Sequence, residues 1–158
     1  MKRCDNILNN EYYRRCIDRT GEYEKDRIYC LHDMTHALDV ARIAYIRALE
    51  TNSGIKKDVI YAAALVHDAG RCMQYENGTP HNEAAAAIAE RVLPECGYSV
   101  GEVKEIADAV MAHRDGEAGT ELAGVLKFAD DMSRMCLWCK AKATCKWDEE
   151  DMNVTLEY

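Results

Sequence analysis

The chain has 158 residues and a mass of 17.9 kDa, enough for one domain with a proper hydrophobic core and too short for several. Hydrophobic residues make up 48% and there are only 2 prolines, which excludes a disordered or low-complexity chain. The formal net charge of −8 excludes a broad electrostatic footprint for nucleic acid or an anionic membrane, although it leaves room for a local basic pocket.

The N-terminus, "MKRCDNILNNEYYRR", lacks the apolar stretch of a signal peptide, and no apolar run is long enough to span a bilayer. The expected location is the cytoplasm. A first polar helix is expected over about 5–20. A second begins near Asp33 and runs to about Glu50, with Met34, Leu38, Ala41, Tyr45 and Ala48 at helical spacing. "VIYAAALV" (59–66) is apolar on every side and reads as a short helix buried all round, with Gly70 as its stop. "QYENGTP" (74–80) reads as a loop, after which Thr79 caps a helix with Pro80 at its first position and Ala84, Ala85, Ile88 and Val92 inward. "SVGE" (99–102) is a capping box opening a helix with Val103, Ile106, Ala107 and Val110 on one face. An amphipathic helix follows over 119–135. The remaining residues, 136–158, are cysteine-rich, then acidic, and end in an expected short strand. The fold class is therefore all-α: a bundle with a small C-terminal appendage.

Ionisable residues fall on the apolar faces of these helices. His67 and Asp68 directly follow the all-apolar run and so emerge from the core, where an unpartnered carboxylate costs several kcal/mol. No Lys or Arg lies in that helix body to compensate it; a metal ion would, and so would a simple His–Asp contact closing the helix. His36, His81 and His113 each continue an apolar stripe. Asp130 stacks over Leu126 and Ala123 on the core side, whereas Asp131 stacks over Lys127 at i, i+4 and faces solvent. Four inward histidines and two inward aspartates on five helices point to bound metal.

This order resembles that of the HD-domain superfamily of metal-dependent phosphohydrolases: H … HD … D, matched by His36 in "THALDVARIA", His67-Asp68 in "LVHDAGR" and Asp130 in "LKFADDMSR". The resemblance covers roughly residues 30–135. It implies an HD-type helical bundle over 1–135, with 136–158 packed on the same domain, and one divalent metal held by His36, His67, Asp68 and Asp130. His81 and His113 resemble the extra histidines of two-metal members, with Asp68 as the bridge. His67 and Asp68 would then be catalytic. Mixed His/carboxylate ligation suits Mn, Fe, Zn, Co or Ni better than Mg. The implied partner is a small phosphorylated substrate, nucleotide-like; neither nucleic acid nor a membrane is expected, and a homo-oligomer is compatible with the sequence. "HDAGRCM" lacks the acidic pair of the ppGpp-hydrolysing branch, and the GYP signature of cyclic-di-GMP phosphodiesterases is absent. Two other readings remain open: a metal-binding sensor without turnover, and a diiron oxidase or oxygenase on the same scaffold.

Arg71, immediately after the ligand pair, and Arg114, beside His113, are candidates for binding substrate phosphate, or else solvated surface charges. "HDMTH" (32–36) superficially matches a zinc-protease motif, but its acid is a methylene shorter than Glu and sits where a helix-capping Asp belongs. His32 lies one turn before His36 and can point into the same cavity, touching a ligand or substrate phosphate; the other reading is a helix-start His bonded to backbone. Eight cysteines without a secretion signal indicate reduced thiols. Cys136, Cys139 and Cys145 could bind a structural zinc or iron–sulfur group with a fourth thiol from Cys4, Cys16 or Cys30, or be free thiols on an amphipathic end.

Overall fold

A computed structural model describes residues 1–113 and 119–158. Among these the chain forms eight α-helices and no strand: α1 (Lys2–Asn9), α2 (Glu11–Glu24), α3 (Met34–Glu50), α4 (Lys57–Val66), α5 (Arg71–Asn77), α6 (His81–Glu95), α7 (Val100–Ala112) and α8 (Glu121–Met132). Helix α4 lies at the centre, touching α1, α3, α6, α7 and α8, because its residues from Ala62 to Val66 are all buried. The other helices present one apolar stripe each and keep a polar face in water.

Local chemistry sets the breaks. The expected single N-terminal helix is two, because Asn10 is extended and its side-chain oxygen accepts from the backbone N–H of Tyr12 and Tyr13, starting a new helix. Tyr13 is then fully buried and donates its hydroxyl to the Leu65 carbonyl at 2.8 Å, tying α2 to α4. Asp33 caps α3 by accepting from the His36 N–H at 3.0 Å. The capping box at Ser99 and Glu102 forms as the sequence indicates. Glu102 and Asp58 also share the Arg3 guanidinium, which clamps α1 onto α4 and α7.

Three local expectations are corrected. Residues 74–77 are helical rather than looped: α4 ends at Val66, a turn over 67–70 follows, and Gly70 starts α5 instead of stopping α4. Gly78, in the left-handed region at φ 78°, ends α5. Pro80, not Thr79, occupies the cap of α6, because the Thr79 hydroxyl is spent on Asn77 at 2.7 Å. The C-terminal segment forms two 3-10 turns, Lys142–Thr144 and Glu149–Asp151, where a strand was expected. It is strapped to the bundle by Asn153, which donates to the Asp131 and Arg134 carbonyls, and by Tyr158, which meets Phe128 edge to face and donates to Glu50.

Candidate metal centre

Histidine and aspartate side chains from α3, α6, α8 and the turns that follow α4 and α7 converge beside Asp68. Within one group, donor atoms of His36, His67 and Asp68 all lie within 4.8 Å of one another; within a second, so do those of Asp68, His81 and His113. Asp68 belongs to both. Its Oδ2 stands 3.3 Å from His67 Nε2 and 3.5 Å from His36 Nε2, and its Oδ1 stands 3.6 Å from His81 Nε2. Asp130 reaches the first group from α8, with Oδ1 3.3 Å from His36 Nε2 and 3.8 Å from His67 Nε2. Asp131 turns away and pairs with Lys127 and Arg134.

The outer nitrogens of the rings fix which way they face. His67 Nδ1 lies 2.7 Å from the Ala64 carbonyl and His113 Nδ1 lies 2.5 Å from the Val110 carbonyl, so each Nδ1 carries the proton and each Nε2 lone pair points inward. His36 Nδ1 faces Ser133 Oγ at 3.2 Å, and His81 Nδ1 faces Gln74 Oε1 at 3.1 Å. As a result His36 Nε2 and His67 Nε2 meet at 3.2 Å, and the buried Asp68 Oδ2 has no hydrogen-bond partner among the described residues. Lone pairs and carboxylate oxygens gathered in this way repel unless a cation sits among them. Protons could serve: burial disfavours the His67 cation, but Asp68 and Asp130 outweigh it and raise its pKa. Burial likewise disfavours the Asp68 and Asp130 anions, and the imidazoles beside them hold both well below the usual carboxylate range. Divalent metal would take the place of those protons, so the donor set fits the ions that the sequence resemblance implies.

Arg71 partly supplies the cation missing from the α4 body, its Nε donating to Asp68 Oδ1 at 2.8 Å. Arg114 lies outside the described residues. His32 enters the site, with Nε2 3.8 Å from Asp68 Oδ2, but its partner is a carboxylate and not backbone. Glu24 Oε1 lies 2.5 Å from His32 Nδ1, and Oε2 accepts the His32 N–H at 2.8 Å. Tyr75 donates to the same carboxylate at 2.6 Å. Burial would raise the Glu24 pKa, but these hydrogen bonds hold it at about 2. Sequence reasoning missed Glu24, although it ends a stripe that the sequence contains: Tyr13, Cys16, Thr20 and Glu24, all buried on α2. Gln74, Tyr75 and Ser133 were missed for lack of any local signal.

The site opens into a cavity of about 510 Å³. Its wall carries His32, His36, His81, His113 and Asp130 together with five basic residues, Arg27, Arg71, Lys127, Arg134 and Lys146, and the rings of Tyr29 and Trp147. Asp131 is the other acid there and is already paired with Lys127 and Arg134. Cys30, Cys136, Cys139 and Cys145 line a smaller cavity beside it. Of the other thiols weighed as a fourth ligand, Cys4 is buried against Tyr98 and Asp58, and Cys16 is buried against Cys72.

The chain is similar to known proteins along its length. A model of the HD domain matches residues 33–135. An uncharacterized protein of Clostridium beijerinckii is 38% identical over 158 residues, covering the whole of both chains. A ribonuclease Y of Thermus thermophilus is 33% identical over 98 residues, which is 62% of this chain and 15% of that protein. A deoxyguanosinetriphosphate triphosphohydrolase-like protein of Bradyrhizobium is 26% identical over 148 residues, 79% of this chain and 36% of that one. Among solved structures, a predicted HD superfamily hydrolase from an uncultured Thermotogales bacterium superposes with a TM-score of 0.67 at 23% identity, covering 89% of this chain and 79% of the other, and so shares the fold. The chain belongs to the HD-domain family of metal-dependent phosphohydrolases.

Proposed function

We propose that this protein hydrolyses a phosphomonoester or phosphodiester of a nucleotide or related small metabolite in the cytoplasm, at a dinuclear centre. His36, His67, Asp68 and Asp130 would hold one divalent transition metal, and Asp68, His81 and His113 would hold a second. Metal bound there would activate water as the nucleophile near neutral pH and offset charge on the phosphate oxygens. The observation that carries this reading is the orphaned Asp68 Oδ2 at the junction of two converging donor groups.

The surroundings support the substrate class. Five basic residues gathered on one cavity wall in a chain of net charge −8 favour an anion. A volume of about 510 Å³ suits a nucleotide-sized molecule, and Tyr29 and Trp147 offer flat faces for a base. Arg71 both steadies Asp68 and contributes to the phosphate-binding wall. Glu24 orients His32, so that its Nε2 faces the bridging carboxylate and is placed to contact substrate phosphate or to hand a proton to the leaving oxygen. An extended nucleic acid is disfavoured by the net charge of −8.

A panel of nucleotides and aryl phosphates, assayed with Mn(II) or Co(II), tests the proposal. Hydrolysis that is lost in Asp68→Ala supports it. Tightly bound metal with no hydrolysis under any condition would instead indicate a sensor, and two irons with oxygen uptake an oxidase.

A further inference from the structure

The C-terminal extension is ordered without a core of its own. Beyond Met132 only Cys136 and Ala141 are buried, while Trp138 is 87% exposed. Burial on that scale does not hold 26 residues of turns in place, and small segments of this kind are commonly stapled by a metal or by disulfides. Among the eight cysteines no disulfide forms. The turns instead bring Cys136, Cys139 and Cys145 around one cavity of about 20 Å³, and the loop between α2 and α3 delivers Cys30 to the same cavity.

We propose that Cys30, Cys136, Cys139 and Cys145 form a tetrahedral zinc site that fastens the C-terminal extension to the loop carrying His32, across the rim of the His/Asp cavity. Four thiols are the full complement of a structural zinc site, and Cys136-x2-Cys139 supplies the tight ligand pair such sites use. The cavity between the four thiols has a volume of about 20 Å³, room for a single ion. The backbone is already wound for it: the Cys139 N–H donates to the Cys136 carbonyl and the Cys145 N–H to the Lys142 carbonyl. Among the described residues no three of the four sulfurs lie within 4.8 Å of one another, so binding the ion requires the thiols to turn towards it. Binding releases the four thiol protons and leaves the zinc tetrathiolate with a net charge of two minus, which Lys142 on the same cavity partly offsets.

The position of this site gives it a purpose. Tyr29, Cys30, Cys145 and Trp147 line both cavities. The ion would therefore cross-link the strap bearing Lys146 and Trp147 to the loop bearing His32, and Tyr29 already donates to the Thr144 carbonyl at 3.1 Å along the same seam. The inference rests on the thiols alone and stands whether or not the His/Asp centre hydrolyses phosphate.

The test uses the full-length chain carrying Asp68→Ala, so that zinc at the His/Asp centre is not counted. The expected result is one zinc per chain by elemental analysis, with replacement by Co(II) giving the thiolate charge-transfer and intense visible bands of a tetrahedral four-sulfur site. Cys139→Ser should remove the ion. Cys30→Ser, on an exposed loop where folding is not at stake, should abolish the four-thiolate spectrum and speed zinc loss to a chelator at least about tenfold. Cys96→Ser should change neither. Chelation of the parent chain should also expose Lys140, Lys142 and Lys146 to trypsin while the helical circular dichroism persists. A chain that binds no zinc once Asp68 is replaced, an unchanged cobalt spectrum in Cys30→Ser, a disulfide among the four thiols, or a coloured iron cluster would each overturn the proposal.

Discussion

Replacing Gly70 by alanine should uncouple the two halves of the metal centre. Gly70 has an ordinary φ of −80°, so its role is space and not backbone conformation. A Cβ there would stand 2.3 Å from the His81 carbonyl oxygen, 2.6 Å from the Ala85 nitrogen and 2.7 Å from the Ala84 Cβ, two of them backbone atoms that cannot rotate away. Ordinary contact begins at 3.4 Å, so the first turn of α6 must retreat by about 1 Å. His81 is the first residue of that turn, and its Nε2 lies 3.6 Å from the Oδ1 of Asp68, two residues before Gly70. The shift therefore falls on the Asp68–His81 geometry and leaves His36, His67 and Asp130 in place. Overpacking of this kind costs about 1–3 kcal/mol of stability, and a misplacement of about 1 Å at a reacting centre costs roughly 100-fold in rate. Gly70→Ala should fold with a lowered Tm, keep one metal tightly and lose the second, and turn over roughly 100-fold more slowly. Metal content, thermal melts and kcat measured on one preparation check all three. A variant with full activity and two tightly held metals would refute the claim that α6 is docked through Gly70.

His36→Ala should empty or distort the metal site, whereas His32→Ala should keep the metal and lower turnover by about 10–100-fold; elemental analysis beside kcat separates them, and metal loss in His32→Ala would mean the ligands are misassigned. Glu24 has a folded pKa depressed from 4.5 to about 2, so it contributes stability that is fully present above pH 4.5 and is lost as pH falls towards about 2. Two and a half units set a ceiling of about 3 kcal/mol. Urea unfolding at pH about 5 and about 3 should show a steeper loss in the parent chain than in Glu24→Gln, and parallel losses would contradict the buried Glu24–His32 contact. Ser99→Ala removes the capping box of α7, far from the cavity, and should cost about 1 kcal/mol, or a few degrees of Tm, with kcat unchanged. A drop in kcat there would show that α7 fraying reaches His113.

The all-α fold was legible because α3, α6, α7 and α8 carry apolar residues at helical spacing, and some announce their starts, as Asp33 and Ser99 do. The separation of Asp130 from Asp131 was legible from helical phase: a step of about 100° between neighbours puts the first beside His36 and the second beside Lys127. Helix α5 was not, because Asn77 and Gly78 make "ENGTP" look like loop throughout, whereas Gly78 ends a helix whose Cys72 is buried in the core. The break at Asn10 was hidden because an asparagine inside a polar helix and one capping a new helix look alike until the chain turns. Glu24 was hidden differently. Its stripe was readable, but a buried acid at a helix end means little before the following loop folds His32 back onto it. The choice among Cys4, Cys16 and Cys30 also depended on where the chain returns, and spacing along the sequence carries no such information.

The proposed reaction depends on Asp68 lying between two divalent ions. Anomalous diffraction at the manganese edge, from crystals grown with Mn(II) and inorganic phosphate, tests it most directly. Two peaks flanking the Asp68 carboxylate are predicted, one beside His36, His67 and Asp130 and the other beside His81 and His113, with phosphate lying across them towards Arg71 and Lys146. A metal-free cluster, or peaks only at other residues, would contradict it.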